Sequence, residues 1–260
     1  MEYTASNRVI PVFSAVENSV MSYSGETIMH VCTGDARCHL VPWNGAFTDA
    51  SQDIIYIHKE IYKPLNEFCE QAFKNGFNLS VCSGYRSFQR QANIWNDKLS
   101  GKKPVLDAFG SPIKIENLTE WERVEAVLRW SALPGASRHH WGTDIDVYDS
   151  ASMPDGYTLQ LLHEETVGDG LFASMHQWLD HQIDPQYGFY RPYETDNGGV
   201  LPERWHLSYA PMSRFYAEAM DLSLLERRLL NSDICLLDTV LKNLEQIYER
   251  FICVGSTIRT

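Results

Sequence analysis

Two short segments, far apart in the chain, carry complementary polar side chains, and a fold that fails to join them leaves both without a purpose. The first is Ser137-Arg138-His139-His140-Trp141-Gly142-Thr143-Asp144-Ile145-Asp146-Val147, and the second is Glu203-Arg204-Trp205-His206. From Thr143 onward the first segment alternates, with Ile145 and Val147 on one face and Asp144, Asp146 and Tyr148 on the other. That is the period of a short, half-buried strand, and it turns Asp146 toward a cleft. His139 lies seven residues before Asp146 and would fall on the opposite face of an unbroken strand. Gly142 offers the turn that brings it back alongside. Glu203 and His206 are three apart, so a bend, a bulge or one helical turn is needed for His206 to reach a metal while Glu203 reaches water beside it. Two imidazoles, one ligating carboxylate and one spare carboxylate are the set that a hydrolytic zinc centre with an open position requires.

The intervening chain reads as elements that frame such a site. Between Ile54 and Gly76 the apolar residues Ile61, Leu65, Phe68, Ala72 and Phe73 recur at helical spacing, and Pro64 either kinks that helix or marks the first turn of a shorter one. Leu79 to Cys82 is a brief strand leading to Ser83-Gly84-Tyr85-Arg86-Ser87, and Ser87 caps a helix from Phe88 to Leu99 that closes at Gly101. Arg86 therefore stands at a strand-to-helix corner. A forked, permanently charged guanidinium there suits a carboxylate or a developing oxyanion, although position alone favours a surface ion pair. Residues 100–117 form a polar excursion, Thr119 and Glu122 a capping box for the next helix, and residues 149–168 a long polar connection. Gly170 to His181 is a further helix, and Glu203 to Tyr209 a last strand or bend. Beyond Pro211, residues 212–230 and 232–252 are two helical patterns, whose apolar faces serve either to cover the core or as a homodimer surface.

Three blocks in this order resemble the D-alanyl-D-alanine carboxypeptidases and dipeptidases of the VanY and VanX kind. The pattern Ser-x-His-x-x-Gly-x-Ala-x-Asp is matched by Ser137, His139, Gly142 and Asp146; Glu-x-x-His by Glu203, Trp205 and His206; and Ser-Gly-Tyr-Arg-Ser with a following Gln by Ser83 to Ser87 and Gln91. The resemblance spans roughly residues 80–210. It departs at Asp144, where the family has a small residue, which leaves the local charge of the pocket open. The resemblance implies one Zn2+ per chain on His139, Asp146 and His206, with Glu203 as general base and Arg86 as oxyanion stabiliser, which reverses the surface reading of that arginine. It further implies a peptide substrate ending in D-alanine, such as a peptidoglycan stem peptide or D-Ala-D-Ala, with Ser137 at its terminal carboxylate and Tyr85 and Gln91 shaping the pocket. The expected fold class is α+β: a small antiparallel sheet carrying the zinc site, flanked by helices, with a C-terminal helical hairpin. The expected division is an extension over 1–50 packed on the core, in which Arg8 to Phe13 and Ile28 to Cys32 read as strand-like runs, a catalytic domain over 51–211 and a helical extension over 212–260.

Net charge of −12 removes the basic footprint that nucleic acid or an anionic membrane demands, so a substrate must be held by a local site. No stretch approaches a membrane span, and no basic start precedes an apolar run and a small-residue cleavage site. The sequence as it stands reads as cytoplasmic, and as periplasmic if a leader has been removed. The six cysteines form no Cys-x-x-Cys pair; Cys32 and Cys38 with His39 allow a second metal site or a disulfide, and reduced, mostly buried thiols are the stronger reading. His163, His176 and His181 read as surface or partly buried histidines, and His140 as a pocket residue or a support for its ligating neighbour. Two rivals stand beside the peptidase: a catalytically silent, zinc-stabilised peptide-binding module, which the spare Glu203 argues against, and a calcium site on Asp144, Asp146 and Asp149, which the histidines argue against. Neither dipeptidase nor L,D-carboxypeptidase specificity is separable from carboxypeptidase on these residues.

Overall fold

The computed structural model describes residues 23–45, 54–186 and 188–253, so the strand-like run Arg8 to Phe13 lies outside the described residues. Its centre is an antiparallel sheet of four strands in the order β3 (Leu79–Ser83), β6 (Asp144–Asp149), β8 (His206–Tyr209) and β7 (Phe189–Tyr190). Two-stranded ladders join β1 (Leu40–Pro42) to β2 (Tyr56–His58) and β4 (Val105–Leu106) to β5 (Pro112–Ile113). The register of the main sheet sets Asp146 opposite His206 and Asp144 opposite Ser208. On the other side of β6 a bulge between Val81 and Ser83 places Ser83 against Asp146. Ile145, Val147 and Leu207 point the opposite way and are fully buried, as the period of two requires.

Helices cover the sheet. They are α1 (Gly25–Cys32), α2 (Tyr62–Lys74), α3 (Phe88–Leu99), α4 (Glu120–Leu128) and α5 (Ala173–Asp180), followed by α6 (Ala210–Ala219), α7 (Leu222–Leu229), α8 (Leu237–Lys242) and α9 (Leu244–Ile247). The caps read from the sequence are present: Ser87 accepts from the Arg90 amide at the start of α3, and Thr119 and Glu122 form a reciprocal capping box on α4. Pro64 sits in the first turn of α2, where no helical hydrogen bond needs its nitrogen.

Two expectations are corrected. Ile28 to Cys32, read as strand-like, lies in α1, because Ser24 caps a helix there and accepts from the Thr27 amide. The two long C-terminal helices are broken. Extended Met220 and the capping Asp221 separate α6 from α7, and Leu236, in the left-handed region at φ 59°, begins α8 only after a turn. The apolar faces of these helices turn inward, with Leu225, Leu229, Val240 and Ile247 in the same core cluster as Val31, Leu79 and Ile145. These helices therefore cover the core, the first of the two roles their pattern allowed. All six cysteines are free thiols. No helix among the described residues is long and apolar enough to cross a membrane.

Gly142 is the residue on which the join between loop and sheet turns. It ends the 3-10 turn Arg138–Trp141 at φ 68°, and a Cβ there would come within 2.9 Å of the His58 amide nitrogen and 2.7 Å of a Leu40 methyl. Both the backbone conformation and the space exclude a side chain. Gly142→Ala is expected to lower stability by more than about 1 kcal/mol, read as the urea midpoint. An unchanged midpoint would show that the loop relaxes without it.

Candidate metal centre

His139, Asp146 and His206 meet in one cluster, with one donor atom from each lying within 4.8 Å of the others. Among the described residues this is the group of three or more metal-ligating side chains that converges. His139 Nε2 stands 3.4 Å from one Asp146 oxygen and His206 Nδ1 3.4 Å from the other, so the carboxylate lies between two imidazoles. All three side chains are buried. Glu203 closes the group, its carboxylate 3.4 Å from the same His206 Nδ1. The bend that the spacing demands is a single turn, in which the His206 amide donates to the Glu203 carbonyl at 3.1 Å.

The outer nitrogens of both imidazoles are tied down, and the ties fix which nitrogen faces inward. His139 Nδ1 lies 2.9 Å from the Gly84 carbonyl oxygen, which can only accept, so Nδ1 carries the proton and Nε2 is left with a lone pair. His206 Nε2 lies 2.9 Å from Asp144 and donates to it, which leaves Nδ1 facing Asp146. Imidazoles held this way by a carbonyl and a carboxylate behind them are typical of metal ligands. Two nitrogens and a carboxylate oxygen on three well-separated elements suit a borderline cation such as zinc and leave room for a fourth ligand.

Asp144, the departure from the family pattern, is fully buried and belongs to this arrangement. It accepts from Arg138 Nε at 2.7 Å and from the Thr143 hydroxyl at 2.8 Å. Arg138 in turn donates to the Tyr190 hydroxyl at 2.8 Å and to Ser208 at 2.7 Å. Burial alone would raise the Asp144 carboxyl, yet the Arg138 guanidinium and the His206 ring hold it well below the usual carboxylate range. The guanidinium thus balances the carboxylate that the site would otherwise have to carry as excess charge. Asp146 is likewise held low, by His139 and His206 against its burial.

A cleft of about 490 Å³ opens over these groups, lined on one side by Arg86, Ser137 and Glu203 and on others by Lys98, Trp130 and Tyr193. The excursion at 100–117 borders it through Lys103 and Leu106, and the connection at 149–168 through Gln160, Leu161 and Leu162.

The VanY model of D-alanyl-D-alanine carboxypeptidases matches residues 54–212. The chain belongs to the VanY D-alanyl-D-alanine carboxypeptidase family. It is 38% identical over 101 residues to an uncharacterized protein of Haemophilus influenzae, a match covering 39% of this chain and 66% of that one. It is 24% identical over 151 residues to a D-alanyl-D-alanine carboxypeptidase of Enterococcus faecalis, covering 56% of this chain and 45% of the relative. The chain thus spans about two thirds of the first relative and under half of the second. Among solved structures, a variant of a vancomycin-resistance D,D-pentapeptidase, VanY, in complex with Zn(II) is 22% identical, with 74% of this chain and 88% of that chain covered at a TM-score of 0.44.

Against the VanY motif, not every matching residue reaches the cleft. His139, Asp146, His206, Glu203, Arg86 and Ser137 do. Tyr85 does not: its hydroxyl donates to the Gly34 carbonyl at 3.0 Å, toward the segment after α1. Gln91 is fully buried, accepts from Arg86 Nη1 at 2.9 Å and donates to the Ala132 carbonyl at 2.7 Å, so it holds the arginine and has no face toward a substrate. His140 neither lines the cleft nor backs a ligand. Its Nδ1 meets the Arg86 carbonyl at 2.6 Å and its Nε2 accepts from the Gly135 amide at 3.0 Å, and burial pushes its pKa down to about 3. The ring is a neutral clamp on the Arg86 backbone. Lys98, Trp130 and Tyr193 were missed in the sequence because each sits in an ordinary helical or loop pattern with no motif around it.

Asp144→Asn removes the charge that faces Arg138 and leaves a buried guanidinium without its counter-ion. Breaking a buried pair in this way is expected to cost about 3–5 kcal/mol in the metal-free protein, measured by urea unfolding. A loss below about 1 kcal/mol would mean that Tyr190 and Ser208 suffice for Arg138.

Proposed function

We propose that this chain is a zinc-dependent carboxypeptidase that removes a C-terminal D-amino acid, D-alanine first among them, from peptidoglycan-derived peptides. The observation that carries this reading is the convergence of His139, Asp146 and His206 with a further carboxylate, Glu203, and a guanidinium, Arg86, that has no ion-pair partner among the described residues, on one cleft. Membership of the VanY family supports the substrate class. His139 Nε2, His206 Nδ1 and an Asp146 oxygen are the donors that would hold the ion. Zinc, when bound, polarises the scissile carbonyl and acidifies water, which is the chemistry that amide hydrolysis at neutral pH lacks.

The residues of the chain supply the rest. Glu203 takes the proton from the attacking water and returns it to the departing amine, the two transfers that a single positioned carboxylate can perform. Its amide donates to the Tyr193 carbonyl at 3.0 Å, and its carbonyl accepts from His206, so the backbone turn fixes its place relative to the ligand. Arg86 faces the oxygen on which charge develops. It is half-buried, and its desolvation lowers its pKa from the usual arginine value, while Asp146 and Glu203 pull in the other direction, so it stays charged. Gln91 and the Ser83 hydroxyl, 2.9 Å and 3.3 Å from its terminal nitrogens, hold the guanidinium before substrate arrives. Such preorganised charge is where a large share of rate acceleration arises. Ser137 presents a hydroxyl to the same cleft and offers one neutral hydrogen bond to the end of the peptide.

The rival reading, a silent zinc-stabilised peptide-binding module, differs in what Glu203 is for. A site built only for structure has no use for a free carboxylate beside an open position.

Release of D-alanine from D-Ala-D-Ala, a stem pentapeptide and a stem tetrapeptide is expected with zinc supplied, and to stop on chelation and return on re-addition. Glu203→Gln is expected to keep zinc, measured by metal analysis after dialysis, and to lose at least about 100-fold in kcat. His206→Ala is expected to lose the metal itself. Activity of Glu203→Gln equal to wild type sinks the general-base role, and a metal-loaded protein that cleaves none of the three peptides favours the binding module.

A further inference from the structure

Four cations line the cleft, Arg86, Lys98, Lys103 and Arg138; Arg138 is paired with Asp144, whereas among the described residues the other three have no carboxylate within ion-pair distance. Other lysines do: Lys63 pairs with Glu67 and Lys102 with Asp97. Arg86 already has a task at the reacting carbonyl. Lys98 has none. It projects from the last turn of α3, is half-buried, and its Nζ donates to the neutral Ser131 hydroxyl at 2.7 Å. Burial pushes its pKa down to about 8, with Glu203 acting in the opposite direction, so it remains mostly charged at neutral pH. A lysine that gives up hydration without gaining a counter-ion is an unfavourable arrangement, and one that an incoming anion relieves.

The electrostatics of the rest of the molecule sharpen the point. The chain carries a net charge of −12, and Asp146 and Glu203 stand in the same cleft. A substrate carboxylate approaching this surface is repelled unless a local cation receives it. The Ser137 hydroxyl is neutral and cannot supply that attraction.

We propose that Lys98, with the more exposed Lys103 at the rim, forms an anion subsite that takes a carboxylate of the peptide substrate and so restricts cleavage to peptides bearing one near the scissile bond. The proposal rests on the peptidase reading. Lys98 acts here as a specificity residue: its charge binds the substrate, and the reacting atoms are left to the groups around Asp146 and Glu203.

Two matched pairs of peptides test this, each assayed with zinc-loaded wild type, Lys98→Met and Lys98→Arg. The first pair is N-acetyl-D-Ala-D-Ala as the free acid and as the C-terminal amide; the second differs by Glu or Gln one residue before the scissile bond. Wild type is expected to prefer the charged member of at least one pair. Lys98→Met is expected to raise KM for that member about 10–100-fold, the range for a lost hydrogen bond to a charged group, to leave kcat within about twofold, and to erase the preference. Lys98→Arg is expected to keep it, and the pair that responds tells a terminal carboxylate from a side-chain one. The subsite is overturned if Lys98→Met retains the wild-type preference in both pairs, or loses kcat equally on charged and neutral members. Should Lys98→Met not fold, Lys98→Gln serves as the same test. If wild type cleaves neither pair, it is the peptidase reading that fails, and calorimetric titration of D-Ala-D-Ala and of its amide into zinc-loaded wild type decides the subsite. Equal affinity for acid and amide overturns it, and a preference for the acid that Lys98→Met abolishes supports it.

Discussion

The antiparallel register of β6 on β8 is the constraint from which the rest of the site follows. It sets Asp146 opposite His206, and because a strand repeats every two residues, Asp144 projects on the same face as Asp146. His206 is therefore flanked by two carboxylates, with Nε2 against Asp144 and Nδ1 against Asp146. A slip of one residue would send both carboxylates into the apolar layer occupied by Ile145, Val147 and Leu207. The register is thus fixed by the cost of burying charge on the wrong face as much as by the ladder itself. His139 reaches the same point by a different route, through a 3-10 turn whose exit only glycine fits.

Much of this was legible in the sequence because its signals are local. The alternation of Thr143 to Val147, the three-residue spacing of Glu203 and His206, the Ser87 cap and the Thr119–Glu122 box each depend on the chain's own geometry over a few residues, and each recurs in the fold. What was not legible depends on partners far away in sequence. Tyr85 and Gln91 sit in the same motif as Arg86, and no local rule says that one turns to the Gly34 carbonyl and the other to the Ala132 carbonyl. The C-terminal helices were read as two because their apolar positions run on at helical spacing. Periodicity does not register the extended backbone at Met220 or the left-handed Leu236 that interrupt it. Lys98 was passed over for the opposite reason: a lysine near the end of a helix is an ordinary solvated residue until the fold closes a cleft over it.

The histidines show how environment divides one residue type into separate tasks. His58, His140 and His176 are fully buried, and burial drives each well below the ordinary histidine value. His58 and His140 act as neutral hydrogen-bonding wedges, against the Tyr216 hydroxyl and the Arg86 carbonyl. His206 is as deeply buried, yet its pKa is raised well above the usual value because Asp144, Asp146 and Glu203 face it. Position in the sequence does not predict the difference: His140 adjoins a candidate ligand and is inert, whereas His206 stands alone.

Asp144 then has a physical explanation as a departure from a small residue. A carboxylate behind His206 fixes the ring but brings a third negative charge beside Asp146 and Glu203. Arg138 offsets it, with its guanidinium 4.8 Å from the Trp141 ring and its Nη2 donating to Tyr190 and Ser208. These contacts span the 3-10 turn, β6, β7 and β8, so the residue that neutralises the site also ties together the elements that carry it. Replacing Asp144 by a small apolar residue is therefore not a local change: Arg138 would lose its reason to be buried, and the turn that delivers His139 would lose the anchor that starts it.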